Sequence, residues 1–325
     1  MKVSVLVLAY NQESYVTQAI DSILMQEVAF DYEIVIGEDA STDRTRQVVL
    51  GFQERYPDRI RVLLREAVDA ERDRAVGLGG KTNFVHSLRA CRGHYIALLD
   101  GDDYWTDTHK LQKQVDFLDT HPDFAICCHN VTMFYEDGSK EPVNLIPPDY
   151  REVSTIEDLF FVNFIPTCSA VFRRGLFREL PAWFFTLKLG DWPLHILNAR
   201  HGKIKYIDEV MGAYRVHQAG VWSSQSPVDR LLELVKMVDY LDDYLNHKYR
   251  KQIRSAKANW YHEIAEICYT QHEVALGRTY LVRYFWHSGF QQRRNLVSLF
   301  LRLHAPTIYK SLRALRNFAR SLTTA

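Results

Sequence analysis

Tyr95-Ile96-Ala97-Leu98-Leu99-Asp100-Gly101-Asp102-Asp103 sets three carboxylates at the end of an apolar, strand-like run. Carboxylates this close repel one another unless a cation sits among them. The apolar run reads as a buried strand of a parallel sheet, and ligands of open α/β sheets gather outside the carboxyl ends of such strands. An all-oxygen cluster suits Mg²⁺ or Mn²⁺, which binds through one or two carboxylates together with substrate phosphates. The expectation is a metal-diphosphate site; an Asp-Gly-Asp turn leading into a helix is the ordinary alternative.

Upstream of this stretch, strand and helix signals alternate. Val3 to Leu8 is a continuous apolar run, Tyr15 to Met25 carries apolar residues at helical spacing, and Tyr32 to Ile36 is a second strand. Ser41, Thr42 and Asp43 offer capping groups for a helix through Val48, Val49 and Phe52. Ile60 to Leu64 reads as a third strand and Asn83 to Arg92 as a helix. This βαβαβ order predicts a mostly parallel sheet with right-handed crossovers. Arg65 to Lys81, charged and glycine-rich, breaks both periods and reads as a mobile loop near the site. Downstream, Leu111 to Leu118 is helical, Phe124 to His129 a strand, Phe134 to Ser139 a hairpin turn, Val153 to Phe161 a helix, Ser169 to Phe172 a strand and Asp191 to Ala199 a helix. Beyond Pro227 the apolar residues recur only at helical intervals, so a boundary falls there.

Two other strand ends carry polar groups. Ala9-Tyr10-Asn11 closes the first strand, where the Tyr10 ring could pack on a nucleobase, and Glu38-Asp39-Ala40-Ser41-Thr42-Asp43 follows the second, where Asp39 could accept a hydrogen bond from a base imide or a ribose hydroxyl. Three strand ends thus point polar groups to one sheet edge. In order and spacing, Val5 to Asn11, Glu38 to Asp43 and Gly93 to Asp103 resemble the family 2 glycosyltransferases of the inverting, DxD-containing GT-A fold over about residues 1 to 223.

The resemblance implies a Rossmann-like α/β catalytic domain over 1–227, with a nucleotide-binding half at 1–120 and an acceptor-side half at 121–227, followed by a helical region at 228–325. It implies that Ala9, Tyr10, Asn11, Glu38, Asp39, Asn83, Asp100 and Gly101 bind the donor, and that Asp102, with His217 of Tyr214-Arg215-Val216-His217, holds the divalent metal, Mn²⁺ or Mg²⁺. Gly190-Asp191-Trp192 resembles the family's acid-Asp-Trp motif with Gly190 in place of the first acid, which makes Asp191 the general base. Trp192 and Trp222 fall on the acceptor side. Helix capping is the other reading of Asp191, core packing that of Trp192, a structural role that of His217 and a salt bridge that of Arg215. The implied reaction moves a sugar from a nucleotide-sugar, most often a UDP-sugar among such relatives, to a hydroxyl of a glycan or lipid-linked acceptor. A sugar-1-phosphate nucleotidyltransferase and a non-catalytic scaffold are the alternatives. Against the first, this chain shows no glycine-rich, basic phosphate loop straight after the first strand, and the intact acidic motifs argue against the second.

With 325 residues, 47% of them hydrophobic and 25% charged, the chain has room for one large globular domain and a smaller one. No run approaches the roughly 18 to 20 apolar residues of a membrane span, and the opening Met1-Lys2 leads directly into a strand instead of a signal peptide. Cys91, Cys127, Cys128, Cys168 and Cys268 are odd in number and lack metal-ligand spacing, so buried thiols in a reducing cytoplasm are expected. Net charge is zero, yet all nine charged residues after Glu273 are basic. Within 293–322, Lys310, Arg313, Arg316 and Arg320 line one face of an amphipathic helix, which would lie on the anionic inner surface of the membrane or dock on the catalytic domain. Nucleic acid is not expected as a partner.

Overall fold

The computed structural model describes residues 1–217 and 225–288. Trp222 and the basic stretch 293–322 lie outside the described residues. The chain divides into two compact units, Met1–Gly220 and Val221–Ala325.

The first unit runs β1 (Val3–Ala9), α1 (Val16–Leu24), β2 (Tyr32–Glu38), α2 (Thr45–Arg55), β3 (Ile60–Leu64), α3 (Ala67–Ala75), α4 (Lys81–Ala90), β4 (Tyr95–Asp100), β5 (Tyr104–Trp105) and α5 (Lys110–Thr120). It continues with β6 (Phe124–Tyr135), β7 (Val143–Asn144), β8 (Val153–Ser154), α6 (Ile156–Leu159), β9 (Val171–Arg173), α7 (Asp191–Ala199) and β10 (Lys203–Val216). The sheet order is β3-β2-β1-β4-β9-β6-β10-β5. β3, β2, β1 and β4 are parallel, as are β6 and β10. β9 is antiparallel to β4 and β6, and β5 to β10, so the half of the sheet beyond β4 is mixed.

β1 is apolar at nearly every position because helices cover both faces of the sheet. Val3, Val5, Val7 and Ala9 turn into a core shared with Ile20 and Ile23 of α1, Val49 and Phe52 of α2, and Leu111 and Val115 of α5. Each aliphatic side chain buried this fully contributes roughly 1.5–3 kcal/mol.

Three local readings change. Arg65 to Lys81 is not a loop throughout: α3 occupies its middle, because its charges find partners, with Arg65 paired to Asp39 and Asp73. Val153 to Phe161 is helical only at Ile156–Leu159, since Val153 and Ser154 pair with β10 and Thr155 starts the helix with a capping box to Asp158. β6 runs past His129 to Tyr135 because β10 pairs along its whole length. β10 itself escapes the sequence, as Lys203, Lys205, Asp208 and Glu209 interrupt its apolar pattern.

The second unit holds α8 (Pro227–Tyr244), α9 (Arg250–Thr270) and α10 (Val274–Ser288). Ser226 caps α8 by accepting the Asp229 N–H, with Pro227 at the first helical position where its missing donor costs nothing. No helix among the described residues is long and apolar enough to cross a membrane. All five cysteines are free and buried.

Candidate active site

Parallel register brings the three strand ends together: Ala9 lies beside Glu38, and Leu8 beside Asp100. Gly101 packs closely where β4 ends: its N–H donates to the Leu8 carbonyl at 2.9 Å, and a Cβ there would lie 3.1 Å from that carbonyl and displace the Gln12 side-chain amide. Asn11 and Ala40 both adopt left-handed backbone, at φ 51° and 56°, just past the ends of β1 and β2. Such strain in residues other than glycine persists only where the surroundings hold it. Here Asn11 Oδ1 accepts the Thr42 N–H, Ser41 Oγ accepts the Asn11 N–H and Asp39 N–H donates to the Ala9 carbonyl.

At this edge Asp39 is buried and Tyr10 exposed. Arg65 binds Asp39 at 2.6 Å and Asp73 at 2.6 Å, while the Arg74 guanidinium lies 4.7 Å from the Tyr10 ring centre and donates to the Asp39 carbonyl. Burial opposes the Asp73 charge, but the Thr82 hydroxyl, Arg65 and Arg72 together hold its carboxyl below the usual range. Arg65 is therefore the nearest cation to two buried acids, and Arg65→Leu should cost about 3 kcal/mol of stability by leaving Asp39 only the longer pair to Arg74 and Asp73 only that to Arg72, read as a lower denaturation midpoint in urea.

Two residues expected to touch the donor are otherwise engaged. Glu38 is fully buried, with Oε1 accepting the Ser41 N–H and Oε2 paired to Arg46 at 2.6 Å, so it shapes the loop beneath the pocket. Asn83 is also buried and donates to the Gly37 carbonyl at 2.9 Å, which clamps α4 onto β2. Of the expected capping groups, Asp43 lies one residue before the N-cap, Arg44, and its Oδ1 accepts the Thr45 N–H, whereas Ser41 serves Asn11.

The acidic cluster is assembled by β5 and β10. Their antiparallel pairing returns the end of β10 to Asp102 and Asp103. His217 Nε2 sits 2.9 Å from Asp102 Oδ2, Arg215 N–H donates to Asp103 Oδ1, and Arg215 Nε donates to the Asp102 carbonyl. The Arg215 guanidinium also lies against the rings of Tyr15 and Phe134, so it braces the loop. Burial, then the neighbouring Asp102 and Asp191 charges, pushes the Asp100 carboxyl up to about 8. Burial with Asp102 and Asp100 pushes Asp103 well above the carboxylate range. Tyr214, which belongs to the His217 motif but had no role assigned from the sequence, is pushed up by burial and by Asp103, Asp100, Asp102 and Asp191 in turn.

This donor set fits a hard divalent cation. Crowded carboxylates that hold protons at neutral pH lack positive charge, and Asp102 Oδ2 and His217 Nε2, 2.9 Å apart, match the ~3 Å edge between neighbouring ligands of an octahedral ion with bonds near 2.1 Å. Asp102 and His217 are the residues that would hold it.

Asp191 opens α7 with Gly190 at the N-cap position. Its side chain does not cap the helix: Oδ2 accepts hydrogen bonds from Asn163 Nδ2 at 3.0 Å and Thr167 Oγ1 at 3.4 Å. Trp192 is buried and its indole N–H donates to the Leu159 carbonyl, so the ring ties α7 to α6. Lys81 donates to the Leu189 carbonyl, anchoring the segment just before the aspartate to α4.

The sheet order, the strand-end carboxylates and the helix-borne aspartate that acts on them define a GT-A glycosyltransferase domain. The Glycosyl transferase family 2 model matches residues 4–181, and the chain belongs to this family. An uncharacterized protein of Mycobacterium tuberculosis is 39% identical over 222 residues, which are 68% of this chain and 60% of that one. The chain thus spans about 60% of that relative's length. Crystalline Staphylococcus aureus TarS 1-349 in complex with UDP-GlcNAc aligns over 93% of this chain and 91% of its own, with a TM-score of 0.54 at 16% identity. The mannosyltransferase PcManGT from Pyrobaculum calidifontis, in complex with GDP-Man and Mn²⁺, aligns over 94% and 88%, with a TM-score of 0.52 at 17% identity. At these identities the likeness shows the fold.

Proposed function

We propose that the protein transfers a sugar, with inversion, from a nucleoside diphosphate sugar to a hydroxyl of a glycan or lipid-linked acceptor. The observation that carries this reading is the pairing of Asp102 with His217 just past the end of β4, together with Asp191 on α7, whose carboxylate is held by the neutral donors Asn163 and Thr167. Tyr10 and Asp39 receive the nucleoside, the ring by stacking and the carboxylate by accepting a base N–H. Asp102 and His217 would hold Mn²⁺ or Mg²⁺, which stabilises the charge of a departing diphosphate. Asp191 accepts the acceptor hydroxyl proton as the new oxygen-carbon bond forms on the face opposite the leaving group. The bond from the sugar to the diphosphate breaks, and the nucleoside diphosphate leaves. The solved neighbours support this reading, since one holds UDP-GlcNAc and another GDP-Man with Mn²⁺.

Calorimetric titration with UDP, GDP, dTDP and CDP, with and without Mn²⁺, tests the donor half of the proposal. UDP is expected to bind only with the metal. CDP should bind weakest, because cytosine has no imide N–H for Asp39. Absence of binding by any of the four in the presence of Mn²⁺ would overturn the reading.

A further inference from the structure

The segment from Asn163 to Ser169 belongs to no sequence motif, yet it reaches both acidic elements of the site. Asn163 Nδ2 and Thr167 Oγ1 converge on one oxygen of Asp191, while the other oxygen accepts no hydrogen bond among the described residues. The amide of Asn163 is oriented by its own chain, since its Oδ1 accepts the Ile165 N–H at 3.2 Å and the NH₂ is left facing the aspartate. Thr167 opens the short 3-10 turn Thr167–Ser169. The next residue, Cys168, turns its thiol to the Asp103 carboxylate. The turn is itself pinned, because the Cys168 carbonyl accepts the Trp105 indole N–H at 2.8 Å and the Ser169 carbonyl accepts from Gln114 at 2.9 Å. Two adjacent residues of one anchored turn therefore touch the helix-borne aspartate and the strand-end acids.

We propose that Asn163 and Thr167 are positioning residues for Asp191: they hold its Oδ2, so that Oδ1 is the oxygen presented to the acceptor hydroxyl. This rests on the reading of Asp191 as the general base. The physical reason is orientational. A carboxylate free to rotate about its Cβ–Cγ bond presents either oxygen in a spread of directions, and misplacing a reacting group by about 1 Å costs on the order of 100-fold in rate. Two donors on one oxygen remove that freedom, and their partial positive charge steadies the carboxylate without a cation that would compete for it. The other titratable groups acting with Asp191 are Asp100 on β4, Tyr214 on β10 and His195 one turn along α7. His195 is fully buried and its pKa is pushed down to about 4 by burial, so it faces the aspartate as a neutral ring.

The test compares Asn163→Ala, Thr167→Val, Thr167→Ser and Asp191→Asn with the wild-type full chain. UDP release from UDP-GlcNAc with Mn²⁺ and water as acceptor reports turnover, and calorimetry with UDP and Mn²⁺ reports donor binding. Asn163→Ala and Thr167→Val are expected to lower kcat about 10- to 100-fold with the donor KM unchanged, whereas Thr167→Ser, which keeps the hydroxyl, stays within about 3-fold of wild type. Wild-type kcat in Asn163→Ala and Thr167→Val, beside an inactive Asp191→Asn, would overturn the positioning role and leave the base assignment intact. Full turnover by Asp191→Asn would overturn the base assignment itself. Where water proves too poor an acceptor to report turnover, a panel of hydroxyl-bearing glycans replaces it, and equal rates in wild type, Asn163→Ala and Thr167→Val overturn the proposal.

Discussion

Asp191→Asn is expected to lower the rate of sugar transfer on the order of 1,000-fold while leaving nucleoside diphosphate affinity within about 2-fold of wild type. The substitution keeps the volume of the side chain at the start of α7 and removes only its capacity to accept a proton. Asn163 and Thr167 can still donate to the amide oxygen, so the local structure has no reason to change. Donor affinity should hold because the nucleoside side of the cleft, Tyr10 and Asp39, lies on the ends of β1 and β2 and shares no hydrogen bond with Asp191. UDP release measured beside UDP calorimetry separates the two quantities. A variant that turns over at the wild-type rate would assign the proton to another group.

Asp102→Asn should weaken Mn²⁺-dependent binding of the diphosphate by about 100-fold or more, since loss of even an outer partner of a metal ligand costs 10- to 100-fold. It removes the one strand-end carboxylate paired with an imidazole, Asp102 with His217 at 2.9 Å. The pH dependence carries a second signature. Asp100 holds its proton up to about pH 8 in the folded chain but releases it near pH 4 when unfolded. Between those values the folded state binds more protons, so the stability of the metal-free protein falls as pH rises from about 4 to about 8. A cation beside Asp102 would offset the burial cost and the Asp102 and Asp191 charges that together keep Asp100 protonated, and its benefit would grow over the same window. Thermal unfolding with EDTA or Mn²⁺ at pH 6 and pH 8 should therefore show the larger metal-induced rise in Tm at pH 8. In Asp102→Asn that rise should vanish at both. An equal rise in the wild type and Asp102→Asn would place the metal elsewhere.

Much of the nucleotide-side architecture was legible because it is local. A period-2 or fully apolar run names a strand, a polar residue just past it names the sheet edge, and parallel pairing then aligns Ala9, Glu38 and Asp100 without further information. The close packing of Gly101 against Leu8 and Gln12 was not legible, since the resemblance named it only as a donor contact. Nor were the individual roles of Glu38 and Asn83. A polar residue at a strand end or helix start reads as a ligand contact until its tertiary partner is seen, here Arg46 for Glu38 and the Gly37 carbonyl for Asn83.

The sequence by itself determined the βαβ order of the first half, the three polar strand ends, the helical second unit and the family resemblance. All of these follow from hydrophobic periodicity and short motifs. Only the tertiary structure decided which side chains meet. β10 had to form, despite its charges, and pair with β5 before His217 could reach Asp102. Arg65 had to fold back from the end of β3 to neutralise Asp39 and Asp73 at once. The turn at Thr167 had to lodge between α7 and the strand-end acids before Asp191 acquired its two donors. Apart from Arg65 with Asp73, each contact joins residues far apart in the chain, and such a pairing is a property of the packed sheet that no local period records.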